Sequence, residues 1–215
     1  MQDIIAKTIQ FVKESLVDAE SGHDWFHIER VYKTALTINQ TEKANELIVS
    51  LAALLHDIAD SKFHDGNEEL GPQKAENFLK QIGVEPLVIA EVKQIIRNLS
   101  FKTSLEQSSY HSKVLAVVQD ADRLDAIGAI GIARTFNYGG YKNRSIYNPE
   151  IPPIQNISKE AYKNSTAPTI NHFYEKLLLL KDRMNTPTGK KMAQQRHEFM
   201  LNYLEQFYAE WEGKR

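Results

Sequence analysis

Apolar positions recur every three or four residues along most of the chain, and this spacing predicts helix after helix. From Asp3 to Val17, residues Ile4, Ile5, Ile9, Phe11, Val12 and Leu16 line one side of a first amphipathic helix. Ser21-Gly22 then interrupts the pattern, and Ser21 is placed to cap a second helix from about His23 to Asn39, with His27, Val31, Ala35 and Ile38 facing inward. The stretch Leu47 to Leu55 is almost wholly apolar and has no Gly or Pro. It predicts a buried helix that ends near Asp60. Beyond a polar loop, Ala75, Phe78, Leu79 and Ile82 mark a helix that Gly83 closes, and Val88, Ile89, Val92, Ile95 and Ile96 mark another from about Pro86 to Asn98. An apolar helix follows from about His111 to Asp125. A long irregular segment is expected over residues 137–168, then a helix opening at Thr169 and, after Thr186-Pro187-Thr188-Gly189, a final amphipathic helix to about Trp211. No run of alternating β-branched residues reads as a strand. The expected fold is an all-α bundle.

Bulk composition narrows the function classes. The chain has 215 residues, 42% of them hydrophobic and 25% charged, which fits one globular domain: a core over about 20–136, a loop over about 137–168 and C-terminal helices over about 169–211. A net charge of −2 gives no basis for a large non-specific affinity for nucleic acid or an anionic membrane, so small-molecule partners are expected. The absence of cysteine excludes disulfides, thiol catalysis and thiolate-bound metals. Any metal site must be built from His, Asp and Glu. The N-terminal residues hold no long apolar run, and no stretch reaches membrane-spanning length, which points to the cytoplasm.

The chemistry concentrates where apolar helices end. His56, Asp57 and Asp60 follow the most apolar stretch, and on a continuous helix their spacing gathers all three along one edge. His-Asp also occurs at His23-Asp24 and His64-Asp65, so the dipeptide alone is equally compatible with a satisfied core pair and a ligand set. His27 heads an apolar stripe, which favours a ligand. His23, four residues earlier, suits either a phosphate near the helix N-terminus or an exposed first turn. Val114, Val118, Asp122 and Asp125 share a face, so Asp122 is the better ligand candidate and Asp120 falls elsewhere. Gly128 and Gly131 suggest close packing, because no strand precedes them to form a dinucleotide loop. In the irregular segment, Tyr138, Tyr141, Lys142 and Arg144 would suit a base and phosphates. Asn171, His172 and Lys176 share the early face of the next expected helix, again at an anion-friendly end.

The set His27, His56-Asp57 and Asp122 resembles the H…HD…D signature of the HD-domain metal-dependent phosphohydrolases. The segments His23–Val31, Leu54–Asp60, Gln119–Gly128 and Asn171–Leu177 resemble the small bacterial YedJ/YpgQ-like branch, and they extend over most of the chain. The resemblance implies an HD-domain helical bundle with one divalent cation held by His27, His56, Asp57 and Asp122. Manganese is the implied ion, with Mg2+, Co2+, Ni2+ and Fe2+ compatible. It implies hydrolysis of nucleoside triphosphates to monophosphate and pyrophosphate, with Asp57 and Asp60 as catalytic carboxylates, Asp60 orienting or deprotonating the water. His23, Arg123, Asn171, His172 and Lys176 are then the candidate substrate contacts. One departure bears on the substrate. Alarmone hydrolases of the superfamily place Glu-Asp soon after His-Asp, whereas Ile58-Ala59-Asp60-Ser61-Lys62 follows here.

Three other readings stay open at this point. One is a 5′-nucleotidase, or another phosphomonoesterase or phosphodiesterase, on the same site. Another is an HD-type di-iron oxygenase, with His23, His64 and His172 completing a second metal site. The third is a non-catalytic nucleotide-binding regulator. The final helix, with Phe199, Met200, Tyr203, Leu204, Phe207, Tyr208 and Trp211, either closes the core or forms a homodimer contact.

Overall fold

The stretch from Leu47 to Leu55 is apolar on every side, and the fold uses it accordingly: every residue from Ile48 to Leu55 is buried. The computed structural model describes residues 1–17, 24–59, 69–99, 110–154 and 165–215. Among these, helices are the only regular secondary structure, as the periodicity requires. The chain separates into two compact units, Met1–Asp122 and Arg123–Arg215. Among the described residues no helix is long and apolar enough to cross a membrane.

The first unit comprises α1 (Gln2–Ser15), α2 (Trp25–Glu42), α3 (Glu46–Leu55), α4 (Leu70–Gln81), α5 (Pro86–Leu99) and most of α6 (Lys113–Asp125). Helix α3 packs against α1, α2 and α5, while α4 packs on α5. Leu51, Leu54 and Leu55 are fully buried. At about 1.5–3 kcal/mol per buried side chain, such packing outweighs the ~1 kcal/mol of a cap, so α3 is a helix because it is core. Its cap is Asn45, whose side chain accepts from the Ile48 N–H at 3.3 Å. The turn from α2 into α3 is tight. Lys43 adopts φ 54°, and the Asn39 amide brackets Ala44, donating to its carbonyl at 3.1 Å and accepting from its N–H at 2.7 Å. Phe11 of α1 stacks on Phe78 of α4 with ring centroids 4.0 Å apart. Gly83 ends α4 at φ +75°, the expected left-handed terminator.

Two boundaries in this unit differ from expectation. Helix α2 begins at Trp25, capped by Asp24, and Ser21 lies outside the described residues. Helix α3 stops at Leu55, so His56 and Asp57 stand in the turn over 56–59. Helical spacing therefore does not govern where their side chains meet.

The second unit contains α7 (Gly128–Tyr141), the short α8 (Asn171–Glu175), a 3-10 segment (Leu177–Arg183) and α9 (Pro187–Trp211). Helix α9 packs on α7 and on the 3-10 segment, and α8 also packs on that segment. Thr186 caps α9 with Pro187 at its first turn, so this helix begins earlier than expected and takes in Thr188-Gly189. The irregular segment begins later than expected, because α7 runs through Gly139-Gly140. Gly139 is needed there: a Cβ would lie 2.3 Å from Thr169 Oγ1. Thr169 and Ile170 in turn donate to the Ser145 and Ile146 carbonyls at 2.9 and 3.0 Å. The helix expected from Thr169 is cut short, since Lys176 has φ −144° and Leu177 starts the 3-10 turns. Met200 and Leu204 of α9 are core, whereas Phe207, Tyr208 and Trp211 pack edge-on around Tyr147.

Candidate metal centre

Three elements of the first unit deliver four polar side chains to one point. Asp24 accepts the His27 N–H at 3.0 Å through its carboxylate, which seats His27 in the first turn of α2 at 2% exposure. The end of α3 presents His56. Its Nδ1 lies 2.9 Å from the Ala53 carbonyl, an acceptor only, so Nδ1 carries the proton and Nε2 carries the lone pair. That Nε2 is buried and has no hydrogen-bond partner among the described residues. Asp57 follows in the same turn, and Asp122 comes from the last turn of α6.

The distances bear on the choice between a core pair and a ligand set. His27 Nε2 lies 3.8 Å from Asp57 Oδ2 and 3.6 Å from Asp122 Oδ1; His56 Nε2 lies 4.0 and 3.9 Å from the same atoms. All four separations exceed hydrogen-bond reach, yet fall below about 4.2 Å, twice a typical metal–imidazole bond. His27, His56 and Asp57 by themselves place one donor atom each within 4.8 Å of one another. The rings of His27 and His56 meet edge-on at 5.3 Å, so neither blocks the other's nitrogen. Two imidazoles and two carboxylates suit a divalent cation of intermediate hardness. The residues present fit such an ion.

The family HD domain matches residues 25–127. Over 207 residues the chain is 40% identical to YpgQ of Bacillus subtilis (strain 168), with 94% of this chain and 91% of YpgQ covered. The chain belongs to the HD-domain metal-dependent phosphohydrolases, in their YpgQ-like branch. An HD-superfamily hydrolase from Bacillus thuringiensis is similar in structure at a TM-score of 0.79 and 45% identity, with 98% of each chain covered. The crystal structure of B. subtilis YpgQ in complex with ADP is similar at 0.76 and 36% identity, covering 98% of this chain and 100% of that one. His56-Asp57, in the turn at the end of α3, lies within the matched residues. HD domains bind divalent metal, which agrees with the donor set.

The remaining candidates divide. His23 and Asp60, with His64, lie outside the described residues. Arg123 donates from Nη1 to the Arg183 carbonyl. Asn171 is buried at 1% exposure and donates to the Ile151 carbonyl at 3.0 Å, an anchor for the loop before α8. His172 is half-buried, and its pKa is pushed down to about 3 by burial and by the nearby Lys176 and Arg144. It is a neutral imidazole at neutral pH. Because α8 ends at Glu175, Lys176 does not share a helical face with Asn171 and His172.

Sequence reasoning missed three features. Asp24 is the cap that seats His27, and Asp directly before an apolar-periodic run is a recognisable cap signal. Asp120 is completely buried, although nothing local to the sequence separates it from a surface acid. Asp125 is paired with Arg134, whose Nη1 lies 2.6 Å from Asp125 Oδ2.

Proposed function

We propose that this chain hydrolyses nucleoside triphosphates to the monophosphate and pyrophosphate, with one manganese ion held by His27, His56, Asp57 and Asp122. The observation that supports this most is His56 Nε2, a buried atom with no hydrogen-bond partner among the described residues. Burying such an atom is unfavourable unless something is bound to it. The ADP complex of B. subtilis YpgQ supports a nucleotide as the substrate class. Two carboxylates beside two imidazoles, with no thiolate, make a site of hard and borderline donors that accepts Mn2+.

A divalent cation held there supplies Lewis-acid polarisation of a phosphoryl oxygen and makes water a nucleophile at neutral pH. The chain's own residues do the rest. The Ala53 carbonyl keeps the proton of His56 on Nδ1, so that Nε2 stays the donor atom. Asp24 fixes the backbone that aims His27. Asp57 and Asp122 bring the negative charge that balances the cation. The Asp122 side chain, 38% exposed, leaves that side of the site open to an incoming phosphate. Asp60 is assigned the proton of the attacking water. Arg123, Lys176 and His23 are assigned contacts to the phosphates, with Asn171 holding its loop and His172 acting as an uncharged N–H donor.

The test is a manganese-supplemented hydrolysis panel of nucleoside mono-, di- and triphosphates and a generic phosphate ester, with His56→Ala alongside. Turnover of triphosphates alone, lost in the variant, is the expected result. Preferred turnover of monophosphates would make the protein a nucleotidase. No turnover above the variant would remove the hydrolase reading, and iron bound per chain would then distinguish an oxygenase from a regulator.

A further inference from the structure

Asp122 stands in the last turn of α6, a place where helices fray. The last four carbonyls of a helix have no intrahelical donor, and unless they are satisfied the turn opens readily. Here arginine side chains reach two of them. Leu124 O accepts from Arg196 Nη1, and Arg134 Nη1 donates to both the carbonyl and the carboxylate of Asp125, at 3.3 and 2.6 Å. The N–H groups of Ala126 and Ile127 return to Arg123 O and Leu124 O, both at 3.2 Å.

The group is built into the fold. Asp125 is 4% exposed. Gly128 sits at φ +76°, where a Cβ would lie 3.0 Å from Arg196 Cγ, so the missing side chain gives the stem of Arg196 its path. Burial lowers the Arg196 pKa and the Asp125 charge opposes that, so one carboxylate balances two guanidiniums. A buried ion pair adds little stability over apolar packing of the same volume. What this one fixes is geometry. Asp122 and Asp125 are three residues apart, about 300° around and ~4.5 Å along the helix, so holding one holds the other.

We propose that Asp125, Arg134 and Arg196 are positioning residues that lock the last turn of α6 and keep the Asp122 carboxylate in place as a ligand. The proposal rests on Asp122 being a ligand of the divalent cation. The test uses the full chain and a Mn2+ titration followed by the electron paramagnetic resonance signal of the free ion, with thermal melting by circular dichroism in parallel. Arg134→Met and Arg196→Met are expected to weaken Mn2+ binding by about tenfold or more, the usual effect of losing a group that orients a ligand. Arg134→Lys, which keeps the charge and one donor, should recover binding to within about threefold of the parent. Leu204→Ala, a core change in α9, should lower the melting temperature without weakening binding. Arg134→Met or Arg196→Met binding Mn2+ as tightly as the parent while melting earlier would overturn the proposal, and either variant suffices if the other does not fold. A parent protein that takes up no Mn2+ overturns the ligand reading itself, and this shows before any variant is compared.

Discussion

Replacing His56 with leucine separates the cost of the site from its use. In the metal-free protein, the buried Nε2, which has no hydrogen-bond partner among the described residues, costs about 1–3 kcal/mol, while the Nδ1–H bond to Ala53 returns about 0.5–1.5 kcal/mol. His56→Leu removes the buried Nε2 but also takes the ring donor from the buried Ala53 carbonyl, at a cost of the same size, so the metal-free variant is expected to stay within about 2 kcal/mol of the parent. Ligand linkage has the opposite effect on the parent. At a free Mn2+ concentration one hundred times Kd, the parent gains about 2.7 kcal/mol. For a chain of 215 residues, at about 2–4 °C per kcal/mol, that is a rise of roughly 5–11 °C in melting temperature. The variant should gain nothing. Calorimetric melting of both proteins, in chelator and in Mn2+, measures each quantity. A variant that still rises with Mn2+ as the parent does would refute the claim that His56 Nε2 is a ligand atom.

Other predictions follow from single residues. Asp60→Asn should retain Mn2+ affinity and lose about 10²–10⁴-fold in kcat, read from metal titration beside steady-state kinetics. His172 titrates near 3 in the folded chain, below the ordinary value of 6.5. Its contribution is therefore complete above pH 6.5 and is lost as pH falls toward 3, at a limiting slope of about 1.4 kcal/mol per pH unit. Denaturant melts across that window should show a flatter loss in His172→Asn. Two glycines of α7 should respond with opposite signs. Gly140→Ala meets nothing within 4 Å and should stabilise by about 0.4–1 kcal/mol, whereas a Cβ on Gly131 lies 2.2 Å from the Ala126 carbonyl oxygen and should destabilise by about 1–3 kcal/mol despite alanine's better helix propensity.

The helices were legible in the sequence because periodicity is a local property, and the set His27, His56, Asp57 and Asp122 came from the family resemblance. His27 could be placed on an inner face and His56-Asp57 at the end of the most apolar stretch without any tertiary knowledge. The end of α3 was not legible, since nothing in Leu54-Leu55-His56-Asp57 says that the chain turns after Leu55. The donors meet because three elements converge, not because helical spacing lines them up. Gly139-Gly140 looks like a breaker but lies within α7, and its reason is the approach of Thr169, thirty residues away. The run Leu177 to Leu180 has no periodicity and could not reveal its 3-10 turns. The arginine contacts around Asp125 depend on a turn and on α9, which no local pattern encodes.

The central claim is tested most directly by product identity. The full chain, supplied with Mn2+ and a nucleoside triphosphate in 18O-labelled water, should give nucleoside monophosphate and pyrophosphate in equal amounts by 31P NMR, with the label in one product and no reaction in His56→Ala. Orthophosphate as the released product, or an unchanged rate in His56→Ala, would contradict it.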